Sequence, residues 1–138
     1  MRSLSTILLF IVLATGCGPS TTPEQLMDKG RFRGTPQEQE KALELAQFAS
    51  DGENDYGLRC WALRALTRLE LVPPEAVKEV GELLTNGSTG GYLRAWSAYA
   101  LGQMRQKEAI PYFILALEQS TDDTTAYYVL EGLARVVA

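Results

Sequence analysis

The sequence predicts an all-α chain, an α-solenoid of about three stacked helical hairpins. Three observations carry this reading. The stretches at 58–66 (LRCWALRAL) and 93–101 (LRAWSAYAL) agree at five of nine positions, and Trp61 and Trp96 fix their spacing at 96 − 61 = 35 residues. A second pair of stretches, 75–84 and 108–117, matches at a spacing of 33. In the first pair the apolar residues recur at helical period, as with Leu58, Trp61, Ala62, Ala65, Leu66 and Leu69. Repeats of this length mark units that cannot bury an apolar face alone and do so by stacking, with about three needed for stability.

The chain opens on a different pattern. One positive residue, Arg2, precedes an apolar stretch at 7–13 and small residues ending at Gly16 and Cys17, the layout of a secretory signal. Residues 4–16 carry no charge, but 13 residues fall short of the ~20 that span a bilayer core as a helix. The stretch Leu13-Ala14-Thr15-Gly16-Cys17 resembles the lipobox of bacterial lipoproteins. That resemblance implies cleavage of residues 1–16 and diacylglycerol on the Cys17 thiol. Acylation of the new amino terminus would complete a stable anchor, since each buried methylene contributes ~0.8 kcal/mol. In enteric bacteria an Asp after the lipidated cysteine retains the protein in the inner membrane. Gly18 stands there, so the resemblance implies the outer membrane, facing the periplasm. Residues 17–22 then form the lipidated cysteine and a linker, and 23–138 the repeat domain.

Within that domain, Thr22-Pro23-Glu24-Gln25 and Thr35-Pro36-Gln37-Glu38 read as capping boxes with Pro at the first helical position. A helix is expected from 36 to about 50 on Ala42, Leu43, Ala46 and Ala49. Polar and Gly-rich segments at 51–55, 87–91 and 120–123 are expected to separate the helix pairs. A third copy of the Trp-bearing helix closes the array at 128–136, with Leu133 at the place of Leu101. Pro74 and Pro111 fall in first turns, where the missing amide is harmless. Both tryptophans are expected in the core.

Two-helix units of 32–35 residues occur in several families. Ankyrin's Thr-Pro-Leu-His pattern needs a His this chain lacks, and the tetratricopeptide spacing of Trp to Gly fails, since Trp96 precedes Gly102 by six residues. Leu93-Arg94-Ala95 with Ala100-Leu101-Gly102-Gln103-Met104, followed by Glu108-Ala109-Ile110-Pro111-Tyr112-Phe113-Ile114-Leu115-Ala116-Leu117, resembles the short HEAT-like repeat of phycobilin lyases. The resemblance implies a protein-binding solenoid with a buried arginine ladder that stitches repeats to acidic loop residues. Arg59 and Arg94 take the ladder position, Asp55 is the acidic partner, and Ala126 replaces the arginine in the last copy.

Charge and chemistry narrow the function. Thirteen Lys and Arg against 17 Asp and Glu leave −4, which argues against neutralising nucleic-acid phosphates. With no His, the Ser-His and Cys-His nucleophiles and two-histidine zinc helices are excluded. Cys60 sits in an apolar run and is expected to be buried and inert. Asp51-Gly52-Glu53-Asn54-Asp55 lacks calcium-loop spacing and reads as a turn, and Asp122-Asp123 reads as a helix start. Tyr112 and Leu115 stand where the preceding repeat has Glu79 and Glu82, and are the expected protein-binding residues. The expectation is a membrane-tethered adaptor that is not an enzyme and needs no metal or cofactor. Its partner is expected to be an envelope protein that the residues do not name. A chromophore lyase subunit and a structural subunit of an outer-membrane assembly are the alternatives.

Overall fold

The computed structural model describes residues 35–119 and 122–138. The signal segment 1–16, Cys17 with its linker and the capping pattern at Thr22 lie outside the described residues, as do Ser120 and Thr121. Six α-helices follow in order: α1 (Glu38–Ser50), α2 (Tyr56–Leu66), α3 (Pro74–Thr85), α4 (Gly91–Met104), α5 (Ile110–Glu118) and α6 (Asp123–Val137). A 3-10 turn, Lys107–Ala109, leads into α5. Pro74 opens α3 and Pro111 lies in the first turn of α5, where free amides tolerate them. No helix among the described residues is long and apolar enough to cross a membrane.

The helices pair as hairpins α1/α2, α3/α4 and α5/α6, and these stack so that α1, α3 and α5 form one layer and α2, α4 and α6 the other. Three hairpins agree with the predicted number, but their phase is shifted by one helix. The segments expected to separate pairs, such as 51–55, instead join the two helices of one hairpin, because a short loop forces antiparallel neighbours. Leu45, Leu63, Leu66, Leu84, Leu93, Leu101 and Phe113 are fully buried in the core, each contributing ~1.5–3 kcal/mol of apolar burial. Between α4 and α6 the backbones nearly touch: a methyl on Gly102 would fall 2.7 Å from the Gly132 Cα.

The tryptophans are not core. Trp61 is 40% exposed and Trp96 half-buried, whereas Cys60, Leu63, Ala95 and Ala98 are buried. Trp61 and Trp96 stand at the edge of the apolar stripe: α2 packs on α1 and α4, and α4 on α2, α3 and α6, which leaves the remaining edge of each helix facing outward.

One cap position recurs through the second layer. The Leu58 N–H of α2 donates to the Asp55 carboxylate (3.1 Å), and the Thr125 N–H of α6 to Asp122 (2.9 Å). At α4 the N-cap is Gly90, which has no side chain, and the Leu93 N–H donates instead to the Tyr56 hydroxyl of the previous hairpin at 2.9 Å. Tyr56→Phe should therefore lower stability by about 1 kcal/mol, or roughly 5 °C in thermal midpoint. An unchanged midpoint would show that this bond contributes nothing.

Candidate protein-binding groove

The outward faces of α2, α4 and α6 form a continuous aromatic surface. On α4, Tyr92, Trp96 and Tyr99 recur at i, i+4 and i+7; α2 adds Trp61 and Arg64 at i and i+3, and Arg68 follows in the turn after that helix. With Thr124 and Tyr128 of α6, Arg64, Arg68 and the three α4 rings line an open groove of about 670 Å³. A second hollow of about 270 Å³, bounded by Tyr56, Cys60 and Trp61, adjoins it and shares Arg64, Tyr92 and Trp96.

The rings brace one another edge to face. Trp96 meets Tyr99 at 5.7 Å between centroids, Tyr99 meets Tyr128 at 5.6 Å, and Tyr128 meets Tyr127 at 5.1 Å. Such pairs contribute roughly 0.5–1.5 kcal/mol each beyond burial and hold the rings at fixed angles. At the other end the Arg64 guanidinium lies 5.1 Å from the Trp61 ring centroid. Tyr92, between the two hollows, is 65% exposed. Among the described residues no carboxylate lines either hollow, while two arginines do.

The residues expected to bind are elsewhere. Tyr112 and Leu115 belong to α5, in the other layer. The Tyr112 ring lies flat on α3, where a methyl on Gly81 would fall 2.4 Å from its Cγ, so this ring serves a contact between hairpins. Leu115 is exposed but is not brought to the aromatic face. The stripe on α4 was available in the sequence as the i, i+4, i+7 spacing of three aromatics, a face distinct from that of Leu93, Ala100 and Leu101.

A family model described as HEAT repeats matches residues 42–134, two-thirds of the chain and nearly all of the three hairpins. The chain belongs to the HEAT-repeat family. No curated protein and no solved structure matches it.

In this HEAT array the two ladder arginines cap helix ends. Arg59 Nε donates to the Ala49 carbonyl in the last turn of α1 (2.8 Å), and Arg94 Nη2 donates to the Asn86 carbonyl at the end of α3 (3.2 Å). Both satisfy carbonyls that lack an intrahelical donor, at the negative end of a helix dipole. The expected acidic partner needs correction: Asp55 accepts from the α2 backbone, because it stands at that helix's N-cap. Its counterpart Asp122 is the carboxylate that feels Arg94. Hydrogen bonding from the Thr125 backbone holds the Asp122 carboxyl below the usual carboxylate range, and Arg94 adds to the shift. Cys60 is buried beneath the smaller hollow; burial pushes its thiol up in pKa and Arg59 only partly offsets this, which disfavours the thiolate.

Proposed function

We propose that this HEAT array is a non-enzymatic interaction module that captures a partner protein in the groove of α2, α4 and α6, held at a bacterial envelope membrane by lipid on Cys17. The observation that carries the binding role is the groove itself: half-buried aromatic rings braced edge to face on a two-layer scaffold, with the exposed Tyr92 ring and the Arg64 and Arg68 guanidinium groups beside them. Large rigid rings bury much area at small entropic loss, and Trp, Tyr and Arg dominate interface energetics. The tether is supported by the signal layout and by the lipobox resemblance at residues 13–17, with Gly18 favouring the outer membrane.

Crosslinking in intact cells tests both parts. The Trp61→Ala, Tyr92→Ala variant should capture its partner at least ~10-fold less than wild type, while keeping its helical content. Equal capture by the two proteins would remove the groove from the mechanism, and capture lost instead on Leu115→Glu would move the site to α5. Cys17→Ala should shift the protein from the membrane to the soluble fraction.

A further inference from the structure

Charge is segregated between the two layers. The helices α1, α3 and α5 carry seven glutamates and two lysines, whereas α2 and α4 carry Arg59, Arg64 and Arg94 and no carboxylate. The third helix of the second layer, α6, has Asp123 and Glu131, but brings only Thr124 and Tyr128 to the groove. In a chain of net charge −4 the aromatic groove is therefore lined by positive charge alone.

The arginines divide by use. Arg59 and Arg94 are engaged with carbonyls at helix ends. Arg64 and Arg68 are exposed, and among the described residues neither guanidinium forms a hydrogen bond or an ion pair; the pairs present are Lys41 with Glu44 and Arg135 with Glu131. Arg64 lies by the Trp61 ring instead. The Thr67 N–H donates to the Arg64 carbonyl (3.2 Å) and the Arg68 N–H to the Ala65 carbonyl (3.0 Å), which continues the turn past α2 and keeps Arg68 on the groove side. Each planar guanidinium has donors for a two-point hold on one carboxylate.

The groove also has a direction. Its lining comes from three successive helices, so it runs across α2, α4 and α6 and not along any one of them. Neighbouring helix axes lie roughly 8–10 Å apart, so the crossing covers about 16–20 Å, the reach of about five or six residues of extended chain.

Resting on the reading of this groove as the partner site, we propose that what it takes is an extended acidic segment of the partner, with carboxylates on Arg64 and Arg68 and an apolar side chain on the rings of Trp96, Tyr99 and Tyr128. Those three rings are half-buried and form a recessed floor that a single chain can enter, where a bilayer surface would meet only the rim. Charge steers such a segment to the groove, and the rings supply the apolar contact area.

Selection of a random heptapeptide phage library on the immobilised full chain tests this. Selected sequences should carry at least two Asp or Glu beside an apolar residue. As synthetic peptides they should bind Arg64→Gln, Arg68→Gln at least ~10-fold more weakly than wild type, and wild type more weakly as salt rises. Arg64→Glu, Arg68→Glu should instead select peptides rich in Lys and Arg, a reversal that damage to the fold would not produce. Neutral or basic peptides selected on wild type that lose binding to Trp61→Ala, Tyr92→Ala would overturn the acidic preference and leave the groove as the site. Peptides that bind the arginine variants and Trp61→Ala, Tyr92→Ala as well as wild type would remove the groove, and this proposal with it. No enrichment, with phosphatidylglycerol vesicles bound by wild type and not by Arg64→Gln, Arg68→Gln, would overturn it in favour of a lipid surface, and no enrichment without vesicle binding would overturn it outright.

Discussion

Gly132→Ala should destabilise the protein by about 2–3 kcal/mol, although alanine is the better helix former by ~1 kcal/mol. The added methyl would fall 2.6 Å from Phe113 Cζ, 3.0 Å from its Cε1 and 3.3 Å from the Gly102 Cα. Phe113 is fully buried and cannot swing aside, and Gly102 meets the methyl with backbone. Relief therefore requires α6 to move away from Phe113 of α5 and from α4, loosening the last hairpin and its contact with the second. Gly81→Ala creates an even shorter contact, 2.4 Å to Tyr112 Cγ, yet should cost less. Tyr112 is half-buried and its ring can rotate toward solvent. Urea unfolding of both variants measures the difference. A double-mutant cycle then identifies the cause: in a Phe113→Leu background, Gly132→Ala should lose at least ~1 kcal/mol of its effect, whereas Gly102→Ala, which meets the Gly132 Cα, should not be rescued. Equal stability of Gly132→Ala and wild type would mean that the hairpins adjust without strain.

The repeat was legible because stacking demands the same residue types at the same places. Leu58 and Leu93, Arg59 and Arg94, Leu66 and Leu101 recur at one spacing, and periodicity needs no knowledge of what each side chain touches. Pairing was less legible, since a two-helix repeat reads equally well from either helix; packing decides it, with α1 on α2, α3 on α4 and α5 on α6. The tryptophans were misread for a physical reason. A tryptophan within an apolar stripe satisfies the helical pattern whether it points inward or lies along the rim, and only its neighbours Arg64 and Tyr92 mark the rim. Tyr112 is less exposed than its matching position suggests. Its exposure was inferred from Glu79 at the matching position, but the contact that covers it is made by Gly81 of the preceding hairpin, a partner that alignment alone does not reveal.

Glu38→Ala should cost about 3 kcal/mol, and Glu38→Gln clearly less. Glu38 begins α1 and is fully buried, an unusual place for a carboxylate. As the last residue of Thr35-Pro36-Gln37-Glu38 it was expected to close a capping box. Its Oε2 accepts the N–H of Glu70 and, at 3.0 Å, that of Leu71, in the connection from the first hairpin to the second. The local field favours the charge, since the first turn of α1 is the positive end of its dipole. Without the carboxylate the two amides lose a charged acceptor, and a buried hydrogen bond of this kind contributes roughly 1.5–3 kcal/mol. Glutamine keeps one oxygen as acceptor, which is why it should retain part of the stability. The effect should also be local before it is global: amide exchange at Glu70 and Leu71 should accelerate more than at Leu63 or Leu101, because the 67–73 connection loses its anchor while the core leucines keep their contacts. Uniform acceleration would instead indicate a loss of global stability alone. Unchanged unfolding and unchanged exchange would show that the buried carboxylate does not hold the hairpins together.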